Sequence, residues 1–387
     1  MSMLEARFAR FETWMRDQAL PFWSETGLAP DGGAVERLTL AGQPDRPGFK
    51  RVRVHARQLY VFSHAHVLGV PGMLEAAREV HGFLMAHGRS EDGGWVVKMG
   101  EAGGCVDPER DLYDQAFVIL ALAWWARASG ETAPITEARR TLAEIDELFA
   151  RPDGRGYLSR LPDQGEALQN PHMHLLEALL ALHAVDPEGP ASARITRLRA
   201  LFDEVLLDAE AGTLGERFDM NWAPRPDDAI EPGHHYEWFW LLHMAERAGF
   251  GTAEPAATRL WDFAERHGVL PGSALIHDGL DRSGARLSAA HRSWPQTERL
   301  KALAVRAEIS GRPETEAAIS AALEALWRHY IAPATPGGWV DHIGADLQPK
   351  VEYVPASTLY HLFLAYAELR RCATALGLTA HEEGLPA

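Results

Sequence analysis

Two histidine–carboxylate pairs at i,i+3 spacing, His174-x-x-Glu177 and His234-x-x-Glu237, place both side chains of each pair on one helix face. A further carboxylate, Glu298, closes the stretch Trp294-Pro-Gln296-Thr-Glu298, and a further histidine, His361, follows Tyr360. Imidazole titrates near neutrality, so this set offers groups suited to general acid–base chemistry. Arg53 and Arg57 are like-charged i,i+4 neighbours that would repel unless a carboxylate such as Asp114 or Glu177 pairs with them. Metal ligation is the competing use of His and Glu together. The di-metal bundle motif runs Glu-x-x-His, the opposite order, and the chain has neither a His-Glu-x-x-His motif nor a cysteine cluster. No metal and no cofactor is expected.

These residues need a scaffold that brings distant parts of the chain together. Apolar residues at three- and four-residue spacing predict twelve helices, at about 3–20, 53–69, 72–88, 110–129, 134–150, 168–185, 191–207, 233–249, 255–267, 294–310, 313–331 and 355–375. Short turns follow the even-numbered helices and loops of about twenty residues follow the odd-numbered ones, a length that usually carries function. The long loops repeat a glycine-containing pattern, as in Asp92-Gly-Gly-Trp-Val and Thr335-Pro-Gly-Gly-Trp-Val. Marked at Val35, Trp95, Tyr157, Leu214, Leu275 and Trp339, the pattern recurs every 57 to 64 residues. Six helix pairs without an obvious polar capping repeat favour closure into an all-α (α/α)6 barrel, one domain spanning 1–387, with short β-hairpins in the long loops.

In such a barrel the even-numbered helices form the inner ring, and Pro171, Pro232, Pro295 and Pro355 mark the starts of four of them. The first turns then converge on one cup. They hold Arg53, Arg57 and Gln58; Asp111, Asp114 and Gln115; His172, His174 and Glu177; His234, His235 and Glu237; Gln296 and Glu298; and Ser357 and His361. Trp95, Trp222, Trp238, Trp294 and Trp339 are available as flat walls, and the combination suits a polyhydroxylated small molecule, a sugar.

Composition narrows the class. The 387 residues carry 38 Lys and Arg against 54 Asp and Glu, a net charge of −16, which disfavours binding to nucleic-acid phosphates. No apolar run approaches the roughly 18 residues of a membrane span, and the N-terminal stretch has no continuous apolar segment of a secretion signal, so a cytoplasmic protein is expected. Cys105 and Cys372 cannot build a disulfide framework. Oligomeric state leaves no signal in the sequence.

The chain resembles the N-acylglucosamine 2-epimerase superfamily, which includes cellobiose 2-epimerases, mannose isomerases and sulfoquinovose isomerases. The resemblance rests on Arg51-Val-Arg-Val-His-Ala-Arg57-Gln-Leu-Tyr60, Asn170-Pro-His-Met-His174-Leu-Leu-Glu177-Ala, Glu231-Pro-Gly-His234-His-Tyr-Glu237-Trp238, Trp294-Pro-Gln296-Thr-Glu298 and Tyr360-His361, in the family's order. It implies an (α/α)6 barrel and metal-free 1,2-proton transfer on an aldose through a cis-enediol(ate). It also implies His234 and His361 as the acid/base pair, with Arg57, His174, Glu237 and Glu298 in the substrate pocket. Arg53, Asp114, Gln296 and Trp294 are further candidates for that pocket. Where epimerases carry Lys-Gly-Pro-Tyr-His, this chain reads Val354-Pro-Ala-Ser-Thr-Leu-Tyr-His361, which looks like the mannose isomerase branch. Four functions stay open: a mannose–fructose isomerase, a sugar 2-epimerase, a glycoside hydrolase using Glu237 with Glu298 or Asp114, and a non-catalytic binding protein.

Overall fold

A computed structural model of the chain describes residues 2–225 and 228–378; residue 1 and residues 379–387 of the expected 1–387 domain lie outside the described residues. The outer helices are α1 (Met3–Trp14), which runs through a π-helical turn into α2 (Leu20–Glu25), then α4 (Met73–His87), α6 (Ala133–Leu148), α8 (Ala191–Leu201), α10 (Ala256–Phe263) and α12 (Arg312–Leu326). Between them in the chain come the inner helices α3 (Val52–Val67), α5 (Leu112–Ser129), α7 (Gln169–Val185), α9 (Pro232–Arg247), α11 (Ser293–Ser310) and α13 (Leu359–Arg371), and a short α14 (Ala373–Leu376) follows. The inner helices pack in the order α3, α5, α7, α9, α11, α13, and α13 packs back on α3. Outside them α12 packs on α1. The ring is closed, and the fold is an (α/α)6 barrel.

Burial follows from position in the two rings. Inner α5 is apolar almost all round, from Phe117 to Ala123 without a break, because neighbours surround it. Outer α6 buries one stripe, Pro134, Ala138, Thr141, Leu142 and Ile145, and turns its charged face to water. Of the four prolines, Pro232 alone occupies the first position of its helix; Pro171 and Pro295 sit at the third, and Pro355 precedes a 3₁₀ turn leading into α13. The N–H groups of a first turn have no intrahelical acceptor, so proline is tolerated at each of these places.

The long loops interlock around one end of the barrel. The strand just before each inner helix pairs antiparallel with the loop of the next repeat: Lys50–Arg51 with Lys98–Met99, Arg110–Asp111 with Arg160–Leu161, Ala167–Leu168 with Arg217–Phe218, and His291–Arg292 with His342–Ile343. A single bridge, Ile230 to Leu280, does the same between α9 and the following loop. Tyr353–Pro355, before α13, pairs with Arg37–Thr39 of the first loop and closes the circle. The expected hairpins are thus joined from repeat to repeat.

Five of the six loops are also pinned to the inner helix that follows them. Backbone N–H groups of Ala34, Tyr157 and Leu214 donate to Nε2 of His55, His172 and His235, and those of Trp95 and Ile276 donate to Oε1 of Gln115 and Gln296. Each of these side chains also bonds the carbonyl four residues earlier, on the residue that caps the start of its own helix. This corrects the expectation for Gln296, His172, His235 and Gln115, which brace loops and do not face the cup. The equivalent loop positions include Ala34 and Ile276, one residue off the markers Val35 and Leu275.

Candidate active site

First turns of the inner helices surround a cavity of about 310 Å³ lined by Arg57, Tyr113, His174, His234, Glu237, Trp294 and His361, among others. That volume is at the small end of ligand pockets, matching one monosaccharide unit. Trp294 lies between the two candidate acid/base residues, with ring centres 4.9 Å from His234 and 5.7 Å from His361. Both imidazoles are therefore within reach of one hexose.

Their electrostatic surroundings differ. His234 directs Nδ1 at Glu216, 2.9 Å from both carboxylate oxygens. Burial opposes its charged form, but Glu216 more than offsets this and, with Glu231 and Glu237, raises it to about 9. His234 is an imidazolium at neutral pH. His361 directs Nδ1 at Glu298, 2.7 Å away. Burial, followed by the cations Arg57 and Lys301, pushes His361 well below the usual histidine range, which favours the neutral ring.

Below the cavity floor lies a buried acidic cluster. Glu177 accepts from Tyr360 at 2.6 and 2.7 Å and contacts His174 Nδ1 at 3.0 Å. Burial alone would raise Glu177, yet these partners hold it below the ordinary carboxylate value. Glu298 faces Lys301 at 2.5 Å. Among the described residues neither oxygen of Glu237 has a hydrogen-bond donor, although the side chain is buried and lines the cavity. Arg57 donates to Tyr113 Oη and to the Ser357 carbonyl at 3.2 Å, while its Nε is left buried without a partner. Buried polar groups without a hydrogen-bond partner are costly in a folded protein.

Two groups of atoms are close enough to be considered for a cation, His174 with Glu177 and Glu237, and Glu237 with Glu298 and His361, each within 4.8 Å. In the first, Glu177 is already bonded to Tyr360 and His174; in the second, the Lys301 ammonium supplies the positive charge. A divalent ion would have to displace these internal partners.

The structure brings Arg57, His174, His234, Glu237, Trp294 and His361 together around the cavity, with Glu298 one layer beneath. Arg53 and Asp114 are instead paired with each other, at 2.8 and 2.9 Å, with Asp111 at 3.1 Å. This pair ties α3 to α5 and lies outside the cavity lining. Of the tryptophans, Trp294 is a cavity wall; Trp95, Trp238 and Trp339 are fully buried in the core, and Trp222 packs under Arg151. Sequence reasoning missed Glu216, Lys301 and Tyr113. Glu216 comes from the loop just before the Arg217–Phe218 strand, with no periodicity to mark it, whereas Lys301 lies one turn beyond Glu298 and a helical wheel would have found it.

A family model described as N-acylglucosamine 2-epimerase (GlcNAc 2-epimerase) matches residues 33–365. The chain belongs to the N-acylglucosamine 2-epimerase family. Within this family it is 35% identical to a mannose-6-phosphate isomerase of Rhizobium meliloti (strain 1021), covering 93% of this chain and 95% of the relative. It is 26% identical to a cellobiose 2-epimerase of Bacteroides fragilis, over 72% of this chain and 76% of that one. A crystal structure of a D-mannose isomerase superposes with a TM-score of 0.84 at 20% identity, covering 95% and 97% of the two chains, which supports the shared fold. The protein is an isomerase of the sugar isomerase and epimerase group. Among the described residues no helix is long and apolar enough to cross a membrane.

Proposed function

We propose that the protein interconverts D-mannose and D-fructose by metal-free 1,2-proton transfer through a cis-enediol(ate), with His361 and His234 as the acid/base pair. The observation that carries this reading is the placement of two imidazoles, each held through Nδ1 by its own carboxylate, against one tryptophan in a monosaccharide-sized cavity. Neutral His361 takes the proton from C2, and the His234 imidazolium gives its proton to O1. His361 then returns its proton to C1, and His234 recovers one from the O2 hydroxyl, so the aldose becomes the ketose and both imidazoles are restored. Arg57 supplies a cation for the oxygen that gains charge, and the carboxylate of Glu237, without a hydrogen-bond donor among the described residues, accepts sugar hydroxyls.

Epimerisation at C2 shares the enediolate and differs in the carbon that is reprotonated. Incubation with D-mannose, D-glucose, D-lyxose and N-acetylmannosamine, with products separated by chromatography, distinguishes the outcomes: fructose from mannose supports the reading, and glucose alone contradicts it. EDTA should leave turnover unchanged; loss of activity restored by a divalent ion would overturn the metal-free step.

A phosphorylated mannose is the second reading. A wider basin of about 710 Å³ adjoins the cavity through Asp341, Ser357 and Thr358, and Arg37, Arg51, Lys98 and Lys350 line it. Arg37, Arg51 and Lys98 are engaged by Asp45, Glu36 and Asp107, so free mannose is the preferred substrate. A kcat/KM higher for mannose 6-phosphate than for mannose would reverse that preference.

A further inference from the structure

Beneath the cavity, Lys301 is fully buried on α11, one turn beyond Glu298. Its ammonium lies 2.5 Å from Glu298, 3.9 Å from Glu237 and 4.3 Å above the centre of the Trp240 ring. Desolvating an ammonium is expensive, so it persists at such a depth only where acids compensate it. Lys301 lies outside the cavity lining and has no part in the proton transfers just described. Its partner, however, is the carboxylate that holds His361.

The contact between Glu298 and His361 Nδ1, at 2.7 Å, has two chemical forms. An ionised Glu298 accepts from Nδ1–H, which leaves the lone pair of the neutral ring on Nε2. A protonated Glu298 donates its O–H to Nδ1, which puts the ring proton on Nε2. Only the first form gives an Nε2 able to take a proton from a sugar carbon.

We propose that Lys301 is a positioning residue: its ammonium against Glu298 opposes protonation of that carboxylate and so favours the His361 tautomer whose Nε2 can accept the substrate proton. This rests on the reading of His361 as the base. The neighbours make such help necessary. Around the Glu298–His361 pair stand Glu237 and His234 from α9, Glu177 and His174 from α7, Arg57 from α3 and Tyr360 from α13. Burial first, and Glu237 next, raise Glu298, which stays above the ordinary carboxylate value with Lys301 as the foremost influence in the opposite direction, so its ionised form depends on that ammonium. Glu177 has Tyr360 and His174 to satisfy it, whereas Glu298 has Lys301 and the ring it must orient.

Two readouts on the full-length enzyme test this. Nitrogen-15 NMR of histidine-labelled protein, with His361→Asn for assignment, should show the wild-type ring protonated on Nδ1 and Lys301→Met protonated on Nε2. A wild-type ring protonated on Nε2 overturns the proposal without any lysine variant. In kinetics, the acid limb of kcat/KM should move up by about 1–3 pH units in Lys301→Met, the shift expected for removing an opposite charge at this range. Lys301→Arg, which keeps the charge, should return the limb toward its wild-type position. An unmoved limb in folded Lys301→Met overturns the proposal, and Lys301→Gln carries the same readouts where the methionine variant does not fold. Failure of the underlying reading shows separately, as full activity in His361→Asn.

Discussion

His234 and His361 lie against the same indole in different electrostatic surroundings: Glu216 raises the first, while burial and the cations Arg57 and Lys301 lower the second. Glu216 faces His234 and the Gln169 amide, whereas Glu298 sits among Glu237, Glu177 and a lysine. His234→Asn and His361→Asn should each lower kcat by about 100- to 10,000-fold with KM little changed, measured by steady-state kinetics on mannose. Arg57→Ala should worsen both constants, since its cation meets substrate and gains strength as charge develops. His234 serves as an acid only while protonated, so activity is present below its value of about 9 and lost above it. Glu216→Gln removes the main source of that elevation and should bring the alkaline limb down toward the ordinary histidine value near 6.5. An alkaline limb that stays in place would exclude His234 as the acid.

At the scale of elements, the same helical position pins a loop in five repeats, using histidine in three and glutamine in two. Each such side chain accepts from the loop and donates to its own helix, so glutamine and neutral histidine are interchangeable there. His172→Gln should be tolerated, whereas His172→Ala should cost about 1–3 kcal/mol by leaving the Tyr157 N–H buried and unsatisfied, as chemical denaturation would show. These imidazoles accept only when neutral, and burial holds His172 and His235 at about 4 and His55 at about 3. The unfolded chain takes up these protons near 6.5, so the stability they contribute is present above that value and is lost as pH falls toward 4. His172→Gln should therefore show a weaker loss of stability between pH 7 and pH 5 than the wild type. The helices themselves were legible because a barrel wall imposes a 3.6-residue period on its sequence. The polar positions were legible as a set but not by direction: His172 and His174 share a first turn, and two residues of helix rotation send one to the loop and the other to the cavity.

Across the whole molecule, closure depends on contacts that no local pattern encodes. The strands that join one loop to the next are mostly two residues long, too short to show alternation, and the last of them ties Tyr353–Pro355 to Arg37–Thr39. Glu216 owes its place beside His234 to this ring, because the Ala167–Leu168 pairing fixes the adjoining Arg217–Phe218 strand. The six-fold repeat, by contrast, was plain in the loop spacing and led directly to the barrel. The closed rings and joined loops place both histidines at one cavity, and in the proposed mechanism a proton, picked up and returned by an imidazole, moves between C2 and C1. The most direct measurement is turnover of D-mannose in D2O followed by NMR of both sugars. The expected result is fructose carrying deuterium at C1 and recovered mannose gaining deuterium at C2. Fructose formed over many turnovers with no solvent deuterium in either sugar would contradict it.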